Sequence, residues 1–158
     1  MRKSVLPWLA CAIIALIVVP ALAWSAPARD PQPSTPKADA AFTVGDFYFV
    51  DAAGSAPEDN SVTINVGDSV TFTYAKNGLN NSVHNVDFSA DTQPASCSQS
   101  EADTGLPLDA DGKSPMPDFT QPPGWSGECT FSKPGTYTFF CDAHGDMTGE
   151  IKIGRAHV

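Results

Sequence analysis

Residues 131–153 read FSKPGTYTFFCDAHGDMTGEIKI, and the alternation along this stretch decides how the chain folds. Pro134-Gly135 opens a run in which Tyr137, Phe139 and Cys141 fall on one face. After a short connection, Met147, Gly149, Ile151 and Ile153 fall on one face of a second run. Side chains of an extended strand point alternately to opposite faces, so this period of two predicts a pair of strands, each with one face on a core. The connection, Cys141-Asp142-Ala143-His144-Gly145-Asp146-Met147, sets a thiol, an imidazole and a thioether at that core edge.

Upstream, the same period recurs between turn residues. Residues 42–50 form a first run with Gly45-Asp46 as a bulge or kink. In residues 61–66, Val62, Ile64 and Val66 share a face, and Gly67-Asp68 then turns the chain into Val70, Phe72 and Tyr74, which predicts a hairpin. After Asn77-Gly78, residues 83–88 place His84, Val86 and Phe88 on one face and Val83, Asn85 and Asp87 on the other. Regularly spaced strands without a helical stretch argue for an all-β fold, a two-sheet antiparallel sandwich or Greek-key barrel. Residues 89–127 depart from this pattern: rich in Asp, Ser, Pro and Gly and without alternation, they read as a long loop insertion with at most a short helix at 99–104.

His84 adds a second imidazole to the thiol, imidazole and thioether of Cys141, His144 and Met147, and all four face the core by alternation. Two nitrogens and a thiolate with a weak axial thioether suit copper, because soft sulfur favours Cu(I) while imidazole accepts Cu(II). Zinc also takes Cys and His, but a thioether is a poor zinc ligand. Taken singly, each residue reads better as packing; the joint spacing favours a metal. Met116, in a Pro-rich loop, and His157, in the terminal tail, read as incidental.

Residues 1–26 begin with Arg2-Lys3, continue as an apolar run and offer Ala21-Leu22-Ala23 for cleavage, which predicts a secretory signal, with an uncleaved anchor as the alternative. Residues 27–41, carrying Pro27, Pro31, Pro33 and Pro36, read as a linker. A domain at 42–154 follows, and residues 155–158 form a tail. Loss of Arg2 and Lys3 takes 9 basic residues to 7 against 18 acidic, and the formal charge from -9 to -11. That excess repels nucleic acid and anionic membrane surfaces, leaving membrane attachment only through an uncleaved N-terminal segment, and it favours partners with basic surfaces. With Cys141 assigned to the metal and Cys11 within the leader, Cys97 and Cys129 remain as an even pair, which predicts a disulfide in a periplasmic or extracellular protein.

The segments VTINVGDSVTFT (62–73), SVHNVDF (82–88) and 131–153 resemble the plastocyanin, amicyanin and pseudoazurin group of cupredoxins, and the Cys-x-x-His-x-x-Met spacing is similar to that of amicyanin. The resemblance implies one type 1 copper per chain held by His84, Cys141, His144 and Met147. Asn85 would tie the two ligand segments together without being a ligand. It further implies a monomeric electron carrier, not an enzyme, that shuttles single electrons between an exported donor and acceptor through His144, with an apolar patch around that edge including Leu79 and Ala143. A copper storage, delivery or tolerance role on the same fold is the alternative. Phe140 stands where plastocyanins often carry Tyr, so a second electron path through that hydroxyl is not expected.

Overall fold

Apolar residues at every second position can bury one face only if a second sheet covers it, and the described residues meet that demand with ten strands. In the computed structural model the described residues are 40–154, apart from Ser55, Pro57 and Ala110. The N-terminal segment, the linker up to residue 39 and the tail, with His157, lie outside them. The strands are β1 (Ala40–Gly45), β2 (Tyr48–Asp51), β3 (Ser61–Asn65), β4 (Ser69–Tyr74), β5 (His84–Phe88), β6 (Ser96–Ala102), β7 (Met116–Gln121), β8 (Trp125–Thr130), β9 (Gly135–Cys141) and β10 (His144–Gly154). They form two five-stranded sheets, ordered β2-β1-β4-β8-β6 and β3-β10-β9-β5-β7. Among the described residues there is no helix, and the all-β sandwich expected from the sequence is the fold.

The core lies between the sheets. Phe139 on β9 sits at its centre, with ring centroids 5.0 Å from Phe42, 4.9 Å from Phe49 and 5.2 Å from Phe72, all edge-on. Aromatic rings prefer this edge-to-face arrangement because a positive rim meets a negative face. Gly149, opposite Phe139 in the β9–β10 register, leaves the space the ring occupies; a Cβ there would collide with it.

Three expectations are corrected. Residues 42–50 are not one kinked run but a hairpin of β1 and β2, paired antiparallel around Asp46 and Phe47, with Phe47 at φ 70°. The pair 61–66 and 70–74 is not a hairpin: β3 pairs in parallel with β10 in one sheet, while β4 pairs with β1 and β8 in the other. The physical reason is shared burial, since Val62 and Ile64 face Val70 and Phe72 across one core only if the Gly67-Asp68 turn carries the chain from sheet to sheet. Asp68 holds that turn by accepting the backbone N–H of Asn65 at 2.9 Å, and Gly67 takes φ 95°.

The third correction concerns residues 89–127, which are not a loop with a short helix. They contain β6 and β7 and the start of β8, and residues 99–102 complete β6 before a turn at 103–104. Cys97 and Gln99 point inward between exposed Ser96, Ser98 and Ser100, so the alternation is present but written in polar residues. The Gln99 amide donates to Gln121 Oε1 at 3.2 Å, which satisfies polar groups that burial would otherwise penalise. Cys97 and Cys129 are register partners on β6 and β8 and form the expected disulfide. Met116 is buried at the start of β7, and its thioether fills the room left by Gly127 on β8.

Candidate metal centre

β9 and β10 meet at a two-residue connection, Asp142-Ala143, which sets Cys141 opposite His144 as register partners. The register then shifts between His144 and Thr148, and this irregularity contains Met147, buried at 2% exposure on the core side. β5 lies beside β9 and brings His84, fully buried, to the same end of the sandwich. On its other side β5 is covered by β7, where Gln121 is the register partner of His84. The segment read as an insertion therefore walls in the strand that carries His84.

Cys141 Sγ lies 3.5 Å from His84 Nδ1 and 3.6 Å from His144 Nδ1, and one donor atom from each residue lies within 4.8 Å of the others. Both rings turn the same nitrogen inward and the other outward: His84 Nε2 faces Asp46 Oδ1 at 3.5 Å, and His144 Nε2 lies 3.4 Å from Ser82 Oγ. Burial, and next the neighbouring His144, pushes the His84 pKa below its ordinary value, against the pull of Asp46. A neutral imidazole with a free Nδ1 lone pair is the form that binds a metal.

Asn85 lies between the two segments that carry His84 and Cys141. Its Nδ2 donates to Asp142 Oδ2 at 2.7 Å and its Oδ1 accepts the backbone N–H of Asp142 at 3.0 Å. The reciprocal pair clamps the residue after His84 to the residue after Cys141, holding the two donor segments together.

Asp46, Phe47, Tyr74 and Ser82 were not foreseen. Phe47, 63% exposed, stands edge-on to His144 with centroids 4.8 Å apart. Leu79 is 80% exposed and Ala143 is exposed, as the expected apolar edge requires. The loop carrying Leu79 is pinned by Asp46, which accepts the backbone N–H groups of Asn81 at 2.9 Å and Ser82 at 3.2 Å. The one sequence signal was an acidic residue breaking an apolar run at Gly45-Asp46; nothing in its spacing linked it to His84.

The donor chemistry suits copper: a buried free thiol, two imidazoles presenting Nδ1, and a thioether on the same core edge. The model of the copper-binding proteins of the plastocyanin/azurin family matches residues 52–154. The chain belongs to that family; it is a blue copper protein of the electron-transfer class, and copper is its cofactor. Solved structures similar to it include a reduced amicyanin variant (20% identity over 72% of this chain and 80% of that one, TM-score 0.43). Another is a reduced Cu(I) form of an amicyanin variant at pH 4 (18% identity, 77% and 87%, TM-score 0.44). A search of curated protein sequences finds no match.

Proposed function

We propose that the chain is a one-electron carrier in which His84, Cys141, His144 and Met147 hold a single copper ion. The bound ion supplies a Cu(I)/Cu(II) couple. The observation that carries the reading is the convergence of two imidazole Nδ1 atoms on one buried thiol at 3.5 and 3.6 Å.

The residues divide the remaining work. Cys141 is fully buried, so water is kept from its thiolate. His144 is only partly buried, so its ring is the donor residue that reaches the surface, beside exposed Phe47, Leu79 and Val83. A small apolar edge of this kind fits brief redox encounters, which need little buried area. The acidic balance of the chain favours donor and acceptor proteins with basic faces, drawn in by long-range attraction. Export is part of the reading, supported by the Cys97–Cys129 disulfide, a bond that persists in oxidising compartments. The carrier acts as a monomer and catalyses no reaction of its own.

Copper titration of the purified domain tests this. One equivalent should give intense thiolate-to-copper absorption in the visible, bleached by reductant, restored by oxidant and absent in Cys141→Ser. A colourless complex, or one that exchanges electrons slowly and yields its copper readily to a chelator, would instead mark a storage or delivery protein.

A further inference from the structure

Asp46 sits in the β1–β2 turn, remote in sequence from every donor residue, yet its carboxylate is the hub of the outer side of the centre. Oδ1 accepts the Tyr74 hydroxyl at 2.6 Å and the Ser82 N–H at 3.2 Å and faces His84 Nε2 at 3.5 Å; Oδ2 accepts the Asn81 N–H at 2.9 Å. His84 Nε2 is buried and closes no hydrogen bond among the described residues, so Asp46 is the acceptor placed to receive its proton. Ser82, ordered through the same carboxylate, carries the hydroxyl that touches the outer nitrogen of His144. One side chain thus stands behind both imidazoles.

We propose that Asp46 is the positioning residue of the copper centre: it keeps the His84 proton on Nε2, leaves Nδ1 aimed at Cys141 Sγ, and places a fixed negative charge behind that ring that favours the oxidised metal. This rests on the ligand assignment proposed above. A carboxylate behind a ligand imidazole orients the ring and makes it a stronger donor, and such partners are typically worth about 10- to 100-fold in metal affinity. Three donors, the Tyr74 hydroxyl and the Asn81 and Ser82 N–H groups, converge on the Asp46 carboxylate, an arrangement that favours its charged form. The alternative is that Asp46 merely pins the turn to the Leu79–Ser82 loop.

Asp46→Asn keeps the size and one acceptor oxygen, and Tyr74→Phe removes the strongest hydrogen bond to Asp46 while leaving its charge. The expected result is that Asp46→Asn stays blue but loses Cu(II) affinity about 10- to 100-fold, loses less for Cu(I), and so has a raised reduction potential. Tyr74→Phe should move the potential less. Equal, unshifted potentials in both variants, with only their unfolding temperatures lowered, would overturn the proposal. Should Asp46→Asn fail to fold, nitrogen-edited NMR of the wild-type Cu(I) protein decides: a slowly exchanging proton on His84 Nε2 supports it, and an unprotonated or freely exchanging Nε2 refutes it. Wild-type protein that never turns blue would sink the ligand assignment itself, a failure distinct from a blue protein indifferent to Asp46→Asn.

Discussion

Two parts of the sandwich are held together by different physics. Around Phe139, four phenyl rings from β1, β2, β4 and β9 close the sheets by apolar contact. Around Gln99 and Gln121, strands β6 to β8 are held by amide hydrogen bonds and a disulfide. The first region is indifferent to redox conditions and to hydrogen-bond geometry. The second depends on both, and it supplies the strand that covers His84. Stability and site protection are therefore separable properties of this fold.

Predictions that would break or sharpen this contrast run from large to small. Phe139→Ala should cost about 3–5 kcal/mol in denaturant unfolding, by lost transfer and the cavity left behind; a loss under about 1 kcal/mol would mean that the aromatic cluster is not the stabilising core. Replacing both Cys97 and Cys129 with Ala should cost about 3–4 kcal/mol on the loop-entropy account for a separation of 32 residues, and should leave the copper spectrum unchanged. A spectrum that changes would show that the stapled region also sets donor geometry. Gln121→Leu takes from the Gln99 amide one of its two acceptors, the other being the Glu101 carbonyl at 3.1 Å, and from the half-buried Thr104 hydroxyl its acceptor at 3.2 Å, and should cost about 0.5–1.5 kcal/mol. No measurable loss would show that the amide cluster adds nothing beyond packing.

The smallest effect is one of pH, and it belongs to neither region. In metal-free protein His84 is held below its ordinary value of 6.5, first by burial. The unfolded chain therefore takes up a proton that the folded one refuses, and stability should fall as pH drops below 6.5. Asp46 has a lowered pKa because its hydrogen bonds outweigh the opposing effect of burial; its contribution is present above 3.8 and is lost only as pH falls through the lower folded value. His84→Gln should flatten the first decline and spare the second, as read from unfolding curves at stepped pH.

How much of this was legible depends on which residues carry the burial. His84, Cys141 and Met147 stood out because apolar neighbours at period two fixed their faces, and His144 because it lies between Cys141 and Met147. Cys97 and Gln99 do the same geometric work on β6, but an amide at an inward position reads as loop until its partner, 22 residues on, is known to lie against it. Asp46 is hidden for a related reason: its partners are Tyr74, Asn81, Ser82 and His84, which no local periodicity connects to a turn between β1 and β2. The crossing of the chain between sheets at Gly67 was equally invisible, because a tight turn with Gly and Asp serves a hairpin and a sheet change alike.

His84 and Cys141 are 57 residues apart, and the first meets the second only when β5 has been laid beside β9. A ribosome must release nearly the whole domain before that can happen. Until then the proposed donors are split, His84 on one segment and Cys141, His144 and Met147 on another, and neither part alone makes up the set. On the proposed ligand set, full coordination waits for that pairing, and a product truncated ahead of β9 would lack three of the four donors.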